Sequence, residues 1–382
     1  MRRAISLLVP LLFAALLSGC WDIKVIQDTD YITAVGFDYK DGQFVIHAQM
    51  VDFANVAKPE SGKKTGPVSV WAGKSQGGTV VEAMNQLYAT AQQRMFWGHV
   101  SSIVFSERAL RHGIDDFKDG LIRFREVRYT QWVYATREQI DDVFVTLPFF
   151  HQSPLGSILF QPEDSYRQRS FIRPLRLQKV VANYREPGSS LLLPCIAIAK
   201  GVWKEGGRDD PKLMVDGMFV LSPQKPAVWM GDAELLGLRW VEEDTKRSNV
   251  MLKREGKTVA SVSVDRPKVK ITPINERQYA LSVKGKLVIS ELLAELSEGE
   301  LTRLAESAVA DEIRHTFAIG RKRGLDIYQF NHTLYHDRFR LWSRATQNGA
   351  KPLDDLALGS IDVDLHLTHS GMYRLGDSHD DY

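Results

Sequence analysis

Several groups of residues carry side chains whose types and spacing could do chemistry, and a cysteine near the amino terminus is the most specific of them. The tetrad at residues 17–20, Leu-Ser-Gly-Cys, closes an apolar run that follows two arginines. It resembles a bacterial lipobox, in which small residues admit a peptidase and the thiol of Cys20 accepts a diacylglyceryl group. Cleavage would remove residues 1–19 as a signal peptide and leave an acylated Cys20 as the new amino terminus.

The apolar run from Ala4 to Leu17 is too short to be a good membrane span. As a helix it would rise about 21 Å, whereas the hydrocarbon core is about 30 Å thick. No later stretch reaches eighteen consecutive apolar residues, so we expect no second span. Two or more acyl chains anchor a protein stably, and Cys20 is therefore predicted to hold the mature chain on the outer face of a membrane. The alternative is an ordinary secretory signal with a chance cysteine.

Two other motifs could bind a nucleotide or a metal ion, and both are incomplete. The "GKS" at 73–75 lacks the glycine that a phosphate-binding loop requires at position 68, which is Val68. His332 and His336 have the spacing of a zinc-binding helix, but the residue after His332 is threonine rather than the glutamate of a metalloprotease. His366 and His369, further along the chain, add two imidazoles. We expect surface or capping histidines and no metal site.

Nothing in the sequence indicates a catalytic nucleophile. There is no G-x-S-x-G motif, and Cys195 lies among apolar residues in "LLLPCIAIA", where a buried structural role is expected. The acidic pairs at 115–116, 141–142 and 354–355 are typical of helix starts or loops. The sequence therefore predicts a protein that is not an enzyme and has no cofactor.

Composition excludes further classes of function. The chain has 49 Lys and Arg against 47 Asp and Glu, and two of the arginines belong to the predicted signal peptide. The mature chain is then formally neutral, which argues against nucleic-acid binding and polybasic membrane binding. Only Cys195 remains beside Cys20, so there is no disulfide framework. With 44% hydrophobic residues, the length suits two or three domains.

Hydrophobic patterning predicts an α+β fold with a mixed sheet and helices in an amino-terminal region, residues 20–200. Alternation on both sides of Asp41-Gly42 predicts a hairpin, and alternation at 126–136 predicts another strand. Residues 148–174 carry four prolines and are too irregular for a central strand, so 148–200 is a candidate subdomain. Glycine, proline and charge cluster at 200–213, where we expect a domain boundary.

The carboxy-terminal domain, residues 201–375, is predicted to hold an antiparallel sheet with long helices on one face. A short helix is expected at 232–243, and two long alternating segments between 258 and 290 predict an antiparallel pair. Ser297 opens a capping box before a helix whose inward side includes Glu312. A second helix is predicted from Asp326, with Trp342 inward. Residues 376–382 form an acidic tail.

Two basic stretches, 163–186 and 312–344, leave two interpretations open. The first holds six basic and three acidic residues, and the second holds seven basic, three acidic and three histidines. A solvated helix face is the default interpretation. The functional interpretation is a contact with a partner or with lipid headgroups.

Several segments resemble the Ger(x)C family, the lipoprotein C subunits of bacterial spore germinant receptors. In the amino-terminal region these are "GCWD", "YITAVGFD", "GGTVVEAMNQL" leading to "WGHVSSIVFSERAL", and "FREVRYTQWVYAT". In the carboxy-terminal half they are "VDGMFVLSPQKPAVWMGDAELLGLRWV", "GLDIYQFNHTLYHDRFRLW" and "SIDVDLHLTHSGM". The resemblance spans nearly the whole chain in order and is weakest at 57–67 and 148–174.

The resemblance implies a non-enzymatic subunit on the outer face of the spore's inner membrane. Such a subunit acts with a membrane-embedded A subunit and a transporter-like B subunit to turn nutrient binding into germination. The family fold is α+β in three domains. Trp21 and Asp22 are then family-typical residues behind the anchor at Cys20, with no implied role in ligand binding.

Two functions from other classes remain as alternatives. A lipoprotein solute-binding protein would have two α/β lobes around a ligand cleft, which the predicted antiparallel carboxy-terminal half fits poorly. Such a protein should gain thermal stability with its nutrient ligand by mass action. An anchored envelope hydrolase would need a nucleophile or a metal set that the sequence does not display.

Overall fold

The computed structural model of this chain describes residues 29–51, 69–117, 128–222, 225–242 and 244–369. The predicted signal peptide, Cys20, the polar loop at 57–67 and the acidic tail lie outside the described residues. The described residues form an α+β fold with two main sheets, as the sequence predicts.

The strands and helices are numbered in chain order. The strands are β1 (Thr29–Lys40), β2 (Gln43–Val51), β3 (Val70–Gly77), β4 (Arg94–Phe96), β5 (Ser102–Ser106), β6 (Trp132–Thr136), β7 (Leu175–Arg176), β8 (Leu191–Ala199), β9 (Lys204–Glu205), β10 (Arg208–Asp209), β11 (Lys212–Ser222), β12 (Lys225–Gly231), β13 (Arg247–Arg254), β14 (Lys257–Pro273), β15 (Gln278–Leu292) and β16 (Ala357–His369). The helices are α1 (Val80–Tyr88), α2 (Glu107–His112), α3 (Ile140–Val145), α4 (Pro162–Gln168), α5 (Leu177–Arg185), α6 (Glu298–Lys322), α7 (Phe330–Asp337) and α8 (Phe339–Thr346).

The first sheet is mixed, as predicted, and runs in the order β12-β11-β8-β6-β5-β1-β2-β3, with β4 beside β1 and β7 beside β6. The four central strands β1, β5, β6 and β8 are parallel to one another. Antiparallel strands flank them on both sides, β2 and β3 on one and β11 and β12 on the other. Such central strands need cover on both faces, and helices supply part of it.

Local turn chemistry explains the predicted hairpin of β1 and β2. Asp41 and Gly42 both have positive φ, 53° and 77°, so the turn matches the twist of the flanking strands. The register that follows pairs Lys40 with Gln43 and continues to Met50 opposite Ile32. The prediction of this hairpin is confirmed.

The two faces of the first sheet bury two separate apolar cores. One core packs α1, α2 and α5 against alternate residues of β1, β5 and β6, such as Val35 and Phe105. The opposite core holds Ala34, Val104 and Tyr134 together with α3 and residues of the irregular 148–174 segment. That segment contains α4 and two single 3-10 turns, and it covers this second face with Leu159 and Phe160.

The strand predicted at 126–136 is shorter than expected, because only Trp132–Thr136 is extended as β6. Residues 128–130 are exposed and turn into the strand, while residues 126 and 127 lie outside the described range. All five residues of β6 are buried, as a central strand covered on both faces requires. Alternation in the sequence therefore overstated the length of the strand.

The expected boundary between residues 200 and 201 falls inside the first sheet. β8 and β11 are antiparallel neighbours, with Ala199 opposite Lys212 and Leu191 opposite Leu221. The charged, glycine-rich stretch between them extends the pair into a small ribbon, β9 and β10. β11 and β12 therefore belong to the sheet of the amino-terminal region.

The second sheet has the order β13-β14-β15-β16. β13, β14 and β15 are antiparallel, as predicted, and the long β14–β15 pair has bulges near Val262 and Asp265. The last strand, β16, is instead parallel to β15, because α6, α7 and α8 intervene and return the chain to the end of the sheet at which β15 begins. These helices bury Leu301, Val309 and Phe330 against one face of the sheet.

Two helix predictions differ from the structure. Residues 232–243 were expected to form one short helix, but the described residues there form two 3-10 turns, at Asp232–Glu234 and Leu238–Trp240. Gly237 lies between them, so close to α6 that an added Cβ would clash with the carbonyl oxygen of Glu312. The second helix begins at Phe330 rather than Asp326, and it breaks into α7 and α8 at Arg338, which is not helical.

Candidate functional site

The predicted acylation site, Cys20, lies outside the described residues, as do Trp21 and Asp22. Its role therefore stays a prediction from the lipobox-like tetrad. Among the described residues, no helix combines the length and apolar character that crossing a bilayer requires.

The residues considered for metal or nucleotide chemistry do not assemble into a site. Within the described ranges, no three His, Cys, Asp or Glu side chains come together as metal ligands would. His332 faces Glu186 at 4.0 Å, and His336 faces Asp337 at 3.0 Å. The "GKS" at 73–75 lies within the edge strand β3 rather than in a loop that opens a helix.

Cys195 is buried in β8, as predicted, and is a free thiol. Burial raises the pKa of this thiol, and the carboxyl group of Asp216 beside it acts in the same direction. Burial also raises the pKa of Asp216. A thiol kept protonated is a poor nucleophile, so the geometry favours the structural role for Cys195.

The two predicted basic stretches do not form one basic face. In 163–186, four arginines pair with carboxylates: Arg167 with Asp164, Arg169 with Asp232, Arg173 with Asp244 and Arg176 with Glu163. In 312–344, Arg314 pairs with Asp311 and Arg323 with Glu234. These pairs fit the solvated-face interpretation for most of both stretches.

A cleft of about 420 Å³ lies between the bodies built on the two sheets. One wall is the end of α5 and the loop after it, residues 184–190, with Ser222 and Lys225 from β11 and β12. The other wall comes from the end of α6, from α7 and from residues 346–356. A cleft at such a junction is a common place for a ligand or for coupled movement of two bodies.

A side chain that sequence reasoning missed joins the two walls. Gln329 precedes α7 with a left-handed backbone, φ 58°. Its Nε2 donates to the carbonyl oxygen of Ser190 at 2.7 Å, and its Oε1 accepts from the Ser190 amide at 2.9 Å. The carboxamide of Gln329 thus makes two hydrogen bonds with the backbone of Ser190, as the backbone of a neighbouring strand would. No local pattern signals a partner 139 residues away.

The same junction is closed by Lys225 and by a close approach of two backbones. The ammonium of Lys225, in β12, donates to the carbonyl oxygen of Gly324 at 2.6 Å. Gly188, with φ +74°, lies against the backbone of Asn331, where an added Cβ would be only 3.0 Å away. A hydrogen bond and close backbone packing therefore join the two walls of the cleft.

Asp326, at the floor of the cleft, organises the start of α7. Its carboxylate accepts from the amides of Phe330 at 2.9 Å and Asn331 at 2.7 Å. The residue is partly accessible from the cleft, yet burial of the carboxyl group raises its pKa to about 6 against these hydrogen bonds. Asp326 was predicted as a helix start, and it caps the helix from four residues upstream.

This raised pKa predicts that stability falls as the pH rises through a defined window. The folded chain keeps a proton on Asp326 that the unfolded chain releases, so the free energy of unfolding should decline between about pH 4 and about pH 6. Urea denaturation across this range measures the effect. The difference in unfolding free energy between wild type and Asp326→Asn should change with pH. Parallel plots of unfolding free energy against pH for the two proteins would contradict the raised pKa of Asp326.

A buried ion pair fixes α6 to the turn before β13. Glu312 accepts from the guanidinium of Arg239, with two oxygens at 2.8 Å from Nη2, and from the indole of Trp240 at 2.5 Å. One turn further, Thr316 accepts from the amide of Gly237 at 3.0 Å and donates to the carbonyl oxygen of Glu234. Two polar side chains of α6 thus contact the 3-10 turns that precede β13.

Comparison with known proteins agrees with the resemblance in the sequence. Residues 22–198 match the family model described as spore germination protein N-terminal domain, and residues 216–371 match that described as spore germination B3/GerAC like, C-terminal. Spore germination protein KC of Bacillus subtilis (strain 168) is 25% identical over 367 residues, covering 90% of each chain. Spore germination protein B3 of the same organism is 23% identical over 299 residues, covering 76% of each.

A solved structure supports the fold. The crystal structure of the GerBC protein superimposes with a TM-score of 0.52 at 15% identity, covering 87% of this chain and 96% of that chain. This likeness concerns the fold alone. The two family models together cover most of the sequence, and the chain therefore belongs to the Ger(x)C family of spore germination proteins.

Proposed function

We propose that this chain is the lipid-anchored, non-enzymatic C subunit of a spore germinant receptor. It acts with a membrane-embedded A subunit and a transporter-like B subunit in nutrient-triggered germination. The observation that carries the proposal is the family match, which covers residues 22–198 and 216–371 in order. The lipobox-like tetrad directly precedes the matched range and supplies a membrane anchor without a spanning helix.

Co-purification tests the receptor assignment. Spore inner membranes are extracted in mild detergent, this chain is captured, and the proteins that accompany it are identified. Recovery of an A-type and a transporter-like B-type subunit is the expected result. Recovery of the chain alone, or with an ABC permease, would contradict the proposal and favour a solute-binding protein.

Replacing Cys20 by alanine should release the chain from membranes without unfolding it, because Cys20 precedes every described element. Losing two or more acyl chains removes the hydrocarbon that makes anchoring stable. Carbonate washing of membranes, followed by immunoblotting, measures release, and thermal melting of the released variant checks the fold. A variant still on membranes after the wash, in cells that lack the partner subunits, would contradict the anchor.

A further inference from the structure

Four large apolar side chains form an exposed cluster, which we call the aromatic tip: Phe149, Phe150, Val202 and Trp203. The 3-10 turn at Phe149–His151 and the segment leading into β9 bring them together. Phe150 is 84% exposed and Trp203 is 52% exposed. The rings of Phe149 and Trp203 meet edge to face with centroids 5.0 Å apart. Single exposed apolar residues are ordinary, but a contiguous group from two segments indicates an interaction surface.

The backbone presents Phe150 to solvent in a conformation that bulky residues rarely adopt. Phe150 and His151 both have positive φ, 60° and 48°. Strain of this kind persists where the surrounding structure imposes it, and it is concentrated at functional sites. The exposure of the ring is therefore a property of the fold.

The charges beside the aromatic tip leave positive groups free. The carboxylates of the β9–β10 ribbon and its flanks have partners within the chain: Asp210 with Lys212 at 2.5 Å, Glu205 with His151 at 3.1 Å, and Asp209 with the amide of Gly201 at 2.8 Å. The exposed cations of the same ribbon have no hydrogen bond or ion pair among the described residues: Lys200, Lys204 and Arg208. Exposed rings with free cations beside them are complementary to a surface that has an apolar interior and anionic groups at its outer boundary.

We propose that the aromatic tip inserts into the interfacial layer of an anionic lipid bilayer, with Trp203 and Phe150 among the acyl chains and the free cations at the phosphates. Tryptophan is the residue most typical of this layer, and each cation near an anionic surface adds to binding. This proposal depends on the proposed function in one respect, which is that the lipid anchor brings the chain to the membrane.

The position of the tip gives the contact a consequence for orientation. Residue pairing across β5 and β6 places Phe37 of β1 and Cys195 of β8 at the same position along the strand direction. Thr29 and Trp203 lie eight residues from that level in opposite directions, so they are at most about 50 Å apart along the strands. Residues 20–28 can span only about 30 Å. A chain that lies inclined along the bilayer brings Thr29 within that reach, so both points can be held at the same time.

Fluorescence quenching tests the insertion directly. Acylated protein is reconstituted into vesicles of phosphatidylethanolamine and phosphatidylglycerol, with or without brominated acyl chains, and Trp203 is isolated as the difference between wild type and Trp203→Phe. We expect bromine to quench the Trp203 signal. The signal isolated in the same way for Trp71, which is 65% exposed on the edge strand β3, should not be quenched. Absence of quenching at Trp203 would overturn the proposal.

Vesicle sedimentation separates the tip from the anchor. In chains that carry Cys20→Ala, and therefore no acyl group, Phe150→Ser with Trp203→Ser should weaken binding to the anionic vesicles by at least about tenfold. A matched control, Trp71→Ser with Phe339→Ser, removes the same ring types at positions 65% and 55% exposed and should bind as the parent does. Equal binding by the tip and control variants would contradict the proposal. Thermal melting confirms that both variants are folded.

The two proposals can fail separately. Vesicle binding and quenching need no partner subunit, so they can succeed even if the chain assembles with neither A nor B. If the tip variant binds vesicles normally but no longer recovers partner subunits from spore membranes, the tip is a protein interface and insertion into lipid is wrong.

Discussion

Replacing Glu312 with alanine should lower the free energy of unfolding by about 3–5 kcal/mol, because it leaves the charge of Arg239 buried and unpaired. Arg239 is only 8% exposed and donates to both oxygens of Glu312. The indole N–H of Trp240 would lose its acceptor as well. Urea denaturation followed by circular dichroism measures the change.

The same helix offers a matched control for this ion pair. Glu300, in the first turn of α6, pairs with Arg254 at 2.9 Å on the surface. Exposed pairs contribute about 0–1 kcal/mol, so Glu300→Ala should have a small effect. If Glu312→Ala and Glu300→Ala lose the same unfolding free energy, burial does not determine how much the Glu312–Arg239 pair contributes to stability.

Trp342→Ala should destabilise the carboxy-terminal body by about 3–5 kcal/mol, as expected for a large buried ring. The side chain was predicted to face inward, and the residue is 5% exposed. Its indole donates to Oδ1 of Asn331 at 2.7 Å, and its ring contacts Tyr335 with centroids 4.8 Å apart. Removal therefore leaves a cavity and an unpaired carboxamide at the edge of the cleft.

Two further variants separate packing from the hydrogen bond of Trp342. Trp342→Phe keeps most of the buried ring and should recover most of the loss, because only the donor to Asn331 is missing. Phe339→Ala, on the same helix but largely exposed, should cost much less. A melting transition of Trp342→Ala that matches that of Phe339→Ala would contradict the assigned position of Trp342.

Features set by neighbouring residues could be predicted from the sequence. Positive φ at Asp41 and Gly42 makes the first hairpin, and Ser297 accepts from the amide of Glu300 at the start of α6. In both cases the side chains that determine the geometry lie within a few residues of one another. The inward position of Glu312 on α6 also followed from helical spacing, although its partner Arg239 did not.

Features set by distant pairing could not be predicted. Alternation of apolar residues does not distinguish a parallel from an antiparallel neighbour, so the direction of β16 was missed. Glycine and charge at 200–213 look like a linker, but there they form the β9–β10 ribbon between two paired strands. The contact of Gln329 with Ser190 depends on a fold that brings both residues to one cleft.

The exposure of the aromatic tip could not be predicted from the sequence either. Phe149, Phe150 and Trp203 would be counted as core residues from composition, since large rings are usually buried. Only the fold shows that the chain around them leaves these rings in solvent. Exposure, unlike residue type, is a property of the assembled structure.

The pairing of β8 with β11 limits how this chain can be recombined with its relatives. A chimera joined at residue 200 would combine two neighbouring inner strands from different parents across a nine-pair antiparallel register, from Lys212–Ala199 to Leu221–Leu191. A junction after Gly231, where β12 ends, would instead transfer the first sheet as one inherited unit. The first sheet therefore extends about eighteen residues beyond the linker-like stretch at 200–213, to the end of β12 at Gly231.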